Sequence, residues 1–475
     1  MAEAGGRAGA AEGLRAGALG GLDAIVLGMA GSAPAYSIAT TTAALVAAVG
    51  TAGPAALLAC GIPMIGIALA YRDLGARLPH AGAAYAWVGR ALGPVPGYLA
   101  GWALVLAATL FMAAGSLPAG SVTLSLVAPA LADDTTLVTA VGAAWFALMA
   151  VLVVVGARRT ARVQWAMSGL ELLLLCAFGL LGAWRALSGA RLAFSWRWLI
   201  PAALPGPGSL ASGVLVAAFS YWGWDVTANL GEETRRPRHI PGAAGLGAMV
   251  AAMCLFVAYA LLVDLFLPAR VVGANAGDVL LALGRELWPG AGGGLMVLAV
   301  LMSTVATLAT TLLQASRTLY AMGRDGAMPA ALAAVHPRWR TPWTATAAVA
   351  AAALALFVAS DLIGSVGAAI SAALAAISLL IVVYYSLAAA AAVVEYRRRP
   401  VGGASGWLRG ALWPALGGAF MLACGVADVT QLSPAAVAVG VGALLVGLAP
   451  YALRPDRARS PRAAGARALD AGGRD

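Results

Sequence analysis

The sequence predicts an all-α polytopic membrane protein with twelve transmembrane helices, and three observations predict it. The 475-residue chain is 61% hydrophobic and only 11% charged, too apolar for a soluble domain of this length. About twelve apolar runs approach the ~20 residues that carry a helix across a bilayer. Two of those runs are interrupted midway: Gly28-Met29-Ala30-Gly31-Ser32-Ala33-Pro34 in the first, and Phe219-Ser220-Tyr221-Trp222-Gly223-Trp224-Asp225 in the sixth. Gly, Pro, Ser and Asp all weaken a helix or compete for its backbone bonds. Because lipid cannot hydrogen-bond the backbone, the runs read as helices. The short alternating segments of a membrane barrel are not seen.

Segment 1 covers about residues 19–49 and breaks at Gly31–Pro34; segment 2 covers about 54–71. A polar link, 72–90, leads to segment 3, about 94–127, followed by segments 4 and 5, about 137–156 and 163–187. A long connection with Trp196 and Trp198 precedes broken segment 6, about 210–230, and then segment 7, about 240–267. The next connection holds a short helix over about 278–287. Segments 8 to 12 fall at about 292–322, 343–359, 363–394, 412–426 and 435–453. Residues 1–18 read as a disordered cytoplasmic N-terminus, 19–395 as the core of ten segments and 396–453 as two further helices. Residues 454–475 read as a disordered, Arg-rich cytoplasmic tail. The first run continues as a full span and does not read as a removable signal peptide.

The net charge of +10 comes entirely from arginine, because the chain has no lysine. Topology accounts for it better than nucleic acid does. With both termini on one side, that side collects Arg72, Arg77, Arg90, Arg158, Arg159, Arg162, Arg235, Arg236, Arg324 and the tail arginines. The other side holds only Arg185, Arg191, Arg197, Arg270 and Arg285. The bias places both termini in the cytoplasm of a multi-pass protein of the cell membrane, with the lipid bilayer as its surroundings. Cys60, Cys176, Cys254 and Cys424 lie within apolar runs without paired spacing and read as buried apolar fillers. His80, His239 and His336 fall in loops, so no metal site and no cofactor are expected.

The chemistry should sit at the two breaks. An interrupted helix frees backbone groups and exposes a dipole end. N–H groups freed at Gly31, Ser32 and Ala33 suit a carboxylate; carbonyls freed at Phe219, Ser220 and Tyr221 suit an ammonium. Together they suit the two ends of an amino acid. The bland alternative is a kinked helix with small residues for close packing. Phe219, Tyr221, Trp222 and Trp224 can close over a substrate at Gly223, though some of them must simply face lipid or neighbouring helices, and Asp225 can contact it, hold a proton or merely cap the following half-helix. Glu171, deep in segment 5, suits a proton carrier; otherwise it is a protonated structural acid. Thr307, Thr310 and Thr311 offer hydroxyls for sodium or a proton network, or simply bond their own helix. Phe111 and Met112 are side-chain specificity candidates. Asp23 and Asp264, near segment ends, are given no role.

The link Tyr71-Arg72-Asp73-Leu74-Gly75-Ala76-Arg77-Leu78-Pro79-His80-Ala81-Gly82-Ala83-Ala84-Tyr85 continues into Leu92-Gly93-Pro94 and Gly97-Tyr98-Leu99-Ala100-Gly101-Trp102. Glu232-Glu233-Thr234 with Pro237 and Ile240-Pro241 follows segment 6. Ala315 to Gly326, with Pro329 and Thr341-Pro342, ends segment 8. In this order, over about residues 19–399, the pattern resembles the amino acid–polyamine–organocation (APC) transporters. The resemblance implies a LeuT-like, five-plus-five inverted repeat with broken helices 1 and 6, two added helices, and alternating access around the breaks. It puts the carboxylate site on Gly31, Ser32 and Ala33, the gate on Phe219, and the amine site on Ser220 and its neighbours. Two departures stand out. Ala33-Pro34 replaces the family's usual glycine in the first break, and Glu171 stands where many members carry a lysine.

The expected function is secondary active transport of amino acids or related amines, with proton-coupled symport preferred over sodium. An exchanger or exporter belongs to the same class, and a non-transporting sensor on the same scaffold is the remaining alternative. No loop gathers a nucleophile, a base and oxyanion donors, so no enzyme is expected.

Overall fold

The computed structural model describes residues 13–189, 192–201, 207–361, 366–431 and 434–452. The expected disordered ends lie outside them, except for residues 13–18. Among the described residues every regular element is helical. Segment 1 is two helices, α1 (Gly21–Ser32) and α2 (Pro34–Val49), followed by α3 (Gly53–Arg77). Ala33 sits between the first two at φ 44, ψ 62, a left-handed conformation that costs an L-residue about 1–2 kcal/mol. The cause is local: a residue before proline is pushed out of the right-handed helical region, while Pro34, lacking an N–H, is suited to start a new helix.

The 72–90 link is not a plain polar loop. Helix α3 continues through Arg72 and Asp73 to Arg77, and α4 (Ala84–Leu92) follows. Charged residues do not end a helix that is leaving the membrane; Pro79 does. Helix α4 is amphipathic and buries Tyr85, Trp87 and Val88, with Trp87 Nε1 donating to the Leu78 carbonyl at 2.7 Å. Then come α5 (Pro94–Val127), α6 (Thr135–Val155), α7 (Ala157–Gly189) and α8 (Pro207–Ser220). The one-turn α9 (Val226–Asn229) and α10 (Ile240–Phe266) complete this part. The next connection carries α11 (Ala269–Ala274), which the sequence did not signal, and the expected α12 (Val279–Leu287), capped by Asp278. The remaining helices are α13 (Gly292–Arg324), α14 (Trp343–Asp361), α15 (Val366–Arg398), α16 (Gly403–Trp407), α17 (Trp413–Gln431) and α18 (Pro434–Ala452).

Among the described residues, eight helical stretches are long and apolar enough to cross a membrane; one of them, Gly21–Arg77, contains α1, α2 and α3. Helix α13 packs along α5, and α10 along α3. Helix α13 is buried nearly all round, its hydroxyls and Gln314 included, which places it at the centre of the helix packing. Two expectations need correcting. Cys176 and Cys254 are exposed on the outer surface rather than buried, as an apolar face turned to lipid permits; Cys60 and Cys424 are buried. Asp264 is only 5% exposed, and its Oδ2 has no hydrogen-bond partner, so this acid is not at a solvated helix end. Asp23 does serve its helix end, accepting from Gly20 N at 2.8 Å and Trp165 Nε1 at 3.0 Å.

One face carries a polar clasp. Arg324 makes a two-pronged contact with Glu232 at 2.9 and 3.0 Å, and His80 Nε2 lies 3.3 Å from Asp325 Oδ2. Burial alone would raise the Glu232 carboxyl, but hydrogen bonds and charge from Arg324, with His80 and the Ala81 N–H, outweigh it and hold the group below its ordinary value. Asp325 is likewise held low against burial by His80 and Arg324. A depressed folded-state value gives stability that is present above the unfolded carboxylate range and lost as pH falls through the folded value. Glu232→Gln is therefore expected to lower stability by at most about 1 kcal/mol near neutral pH, and the difference should shrink as pH falls below the ordinary glutamate range and vanish once it is below the lowered folded value. Melting curves of both proteins across pH check this. A difference that persists in acid would separate the clasp from carboxylate ionisation. Beneath it, Arg317 and Glu233 form a fully buried pair at 2.9 Å, with Ser316 Oγ accepting from Arg317.

Candidate functional site

The two breaks meet. Gly223, at φ +100, forms the turn between α8 and α9, and its backbone lies directly on that of Gly31. A Cβ on Gly31 would stand 2.2 Å from the Gly223 oxygen, and one on Gly223 2.1 Å from the Gly31 oxygen, so neither position admits a side chain. Around this crossing lies a small cavity of ≈ 20 Å³, room for about one water.

Of the residues singled out from the sequence, Gly31, Ser32, Ala33, Phe219, Trp222 and Gly223 line this cavity. Phe111 and the three threonines of α13 line it too, whereas Met112 is buried in the packing of α5. Ser220, Tyr221, Asp225 and Glu171 do not line it. Ser220 Oγ pairs with Thr41 at 3.1 Å, and the Tyr221 hydroxyl donates to the Leu57 carbonyl at 3.0 Å, facing away. Trp224 also points away from the cavity, fully buried and stacked on Tyr385 with ring centroids 5.9 Å apart.

The freed donors are not where the sequence put them. Gly31 and Ser32 belong to α1, and Ala33 N caps it by bonding the Met29 carbonyl at 3.2 Å. The N–H groups released by the break belong to Ala35 and Tyr36, at the start of α2. Both are taken: Ala35 N bonds Glu171 Oε1 at 3.0 Å, and Tyr36 N bonds Ser303 Oγ at 3.2 Å. Glu171 is thus a fully buried carboxyl at a helix N-terminus, where the dipole favours negative charge. Its other oxygen, Oε2, has no partner. In the second break, the Phe219 carbonyl accepts from Trp222 N at 3.4 Å and the Tyr221 carbonyl from Trp224 Nε1 at 3.0 Å.

Asp225 does not cap α9 with its side chain. It anchors a network instead. Gln314 Nε2 donates to Oδ2 at 2.8 Å, Tyr384 to Oδ2 at 3.3 Å and Tyr385 to Oδ1 at 3.1 Å. Trp222 Nε1 donates in turn to the Tyr384 hydroxyl. This links a cavity-lining ring to the acid behind it and ties both to α15. Gln314 itself lines the cavity. Thr307 Oγ1 reaches across to the Gly31 carbonyl at 3.3 Å, whereas Thr310 bonds back to its own helix. Sequence reasoning missed Gln314, Tyr384, Tyr385, Tyr36, Ser37 and Ser303. The one signal available was the adjacent tyrosine pair in an otherwise aliphatic run. Among the described residues, no group of His, Cys, Asp and Glu could hold a metal ion.

A family model described as amino acid permease matches residues 19–445. The chain is 27% identical to the branched-chain amino acid permease BcaP of Lactococcus lactis, over 57% of this chain and 61% of that protein, so it spans under two thirds of that relative's length. It is 31% identical to an uncharacterized transporter of Mycobacterium tuberculosis, over 73% of this chain and 74% of the relative. It is 26% identical to the low-affinity putrescine importer PlaP of Escherichia coli, over 59% and 61% of the two chains. These are transport proteins, not enzymes, and the apolar helices make this chain a multi-pass membrane protein. With most of its length matched, the chain belongs to the amino acid permease family of the APC superfamily.

Proposed function

We propose that this protein is a secondary transporter that moves amino acids or related amines across the cytoplasmic membrane by alternating access, driven by proton symport, with both termini in the cytoplasm. The twelve-helix count and the inverted repeat around α1–α2 and α8–α9 are part of this reading. The observation that carries it is the backbone crossing of Gly31 and Gly223 beside a cavity, with a buried carboxyl behind each break. Broken helices in corresponding positions are the place where transporters of this design bind substrate. The cavity walls, Phe111, Phe219 and Trp222 with the hydroxyls of Ser32, Ser37 and α13, suit a small neutral amino acid with an apolar side chain. As drawn, the cavity is too small for one, so loading requires the half-helices to part. Glu171 is the proposed proton carrier, because it is a fully buried carboxyl that meets the first break through Ala35 N–H and has a second oxygen without a partner.

An amine substrate is the second reading, and Asp225 behind Trp222 favours it, as does the likeness to a putrescine importer. Exchange or export through the same cycle requires no different residues. A thermal-shift panel of neutral amino acids and diamines on the purified protein, at acidic and neutral pH, separates these readings, because a ligand of the folded state raises the melting temperature. A hit confined to diamines would reverse the substrate assignment. No hit in either class would favour a sensor over a transporter.

Phe219 is half-buried on the cavity wall and is the proposed gate. Phe219→Ala should reduce initial uptake by about tenfold, while the melting temperature stays near that of the wild type. Unchanged uptake would remove its gating role.

A further inference from the structure

Seven buried side-chain N or O atoms have no hydrogen-bond partner among the described residues, and three of them lie on one face of α7: Gln164 Oε1, Ser168 Oγ and Glu171 Oε2. All three residues are 0% exposed. Their spacing, i, i+4 and i+7, aligns them in a single stripe that packs against α1 and α13. The orientation of Gln164 is fixed, because Nε2 donates to the Ala306 carbonyl at 3.0 Å, which leaves Oε1 as an acceptor. Ser168 Oγ does not bond back to its own helix, the usual resort of a buried serine. A stranded buried polar atom is rare and costly, and a bridging water is its commonest remedy. Successive positions in the stripe are about 4.5 and 6 Å apart along the helix axis. These three atoms make no hydrogen bond to one another, so bridging waters are what would satisfy them.

The stripe has a direction. One turn before Gln164 lies buried Thr160, and beyond it a polar groove of ≈ 250 Å³ lined by Arg158, Arg159, Arg162 and Trp339. By the arginine bias, that groove faces the cytoplasm. At its inner end the stripe reaches Glu171, which holds the N-terminus of α2. We infer that Gln164 and Ser168 hold a file of waters that carries the proton between Glu171 and the cytoplasm, separate from the substrate cavity. This rests on Glu171 as the proton carrier. The step is a plain acid–base relay: a proton leaves the Glu171 carboxyl for the adjacent water, each water passes one proton on, and the last releases it to the cytoplasm. Gln164 and Ser168 position the waters and do not change protonation state.

The test uses the full chain in proteoliposomes, oriented and loaded with a pH dye, with labelled substrate to report counterflow. Wild-type protein should acidify the lumen when substrate enters. Gln164→Leu and Ser168→Ala should each slow substrate-driven acidification and coupled uptake by about tenfold while leaving counterflow unchanged, and Ser168→Thr should restore the rate. A merely structural role would depress counterflow as well. If wild-type protein acidifies the lumen and both variants match it, the water file is overturned while proton coupling stands. If wild-type protein takes up substrate without acidification, the coupling reading and this inference fall together.

Discussion

Replacing Glu171 with glutamine is expected to abolish uphill accumulation while leaving exchange intact. Glutamine keeps an oxygen for Ala35 N–H, so the start of α2 stays capped and the fold is retained. What it loses is the ability to bind and release a proton. With one proton per substrate, an inward gradient of about 2 pH units supports about a 100-fold accumulation, and the variant should fall to a ratio of about 1. Counterflow of labelled against unlabelled substrate should stay within about twofold of wild type, because exchange returns the carrier with substrate bound and needs no net proton movement. An accumulation ratio that survives the substitution would transfer the proton to another group, with Asp225 the first candidate.

Gly223→Ala is expected to have the second largest effect. The new methyl would meet the Gly31 carbonyl oxygen at 2.1 Å, and the residue would still have to hold φ near +100. The backbone term costs about 1–2 kcal/mol and the overlap another 1–3, so a loss of about 3 kcal/mol is expected together with near-complete loss of uptake. Gly31→Ala should lose uptake too but cost less stability, since it meets the same overlap without the backbone term. Gly294→Ala, on α13 with nothing within 4 Å, is the control and should be neutral in both measurements. Full stability and uptake in Gly223→Ala would mean that the two breaks do not bear on one another.

The order of helices was legible because lipid imposes a simple rule: a long uncharged run must satisfy its own backbone. The position of the first break was legible for a local reason, Ala33 before Pro34. The extension of α3 to Arg77 was not, because charge marks the end of the hydrocarbon and not the end of a helix. At the site, sequence identified the residues that break helices and the two buried acids, but not their partners. Glu171 meets Ala35 from 136 positions away, and Asp225 meets Tyr385 from 160 away. No local pattern encodes such contacts. The same limit misplaced the donors: the sequence marks where a helix stops, while the free N–H groups belong to the helix that starts next. It also could not tell that Tyr221 and Trp224 turn away from the cavity that Phe219 and Trp222 line.

The most direct test of transport by a proton-driven cycle is accumulation of labelled neutral amino acids and putrescine in proteoliposomes, with and without an inward proton gradient. Concentration of one of them above equilibrium only when the outside is acid, collapsed by a protonophore, is the predicted result. Uptake that merely equilibrates, indifferent to the gradient and to Glu171→Gln, would contradict it.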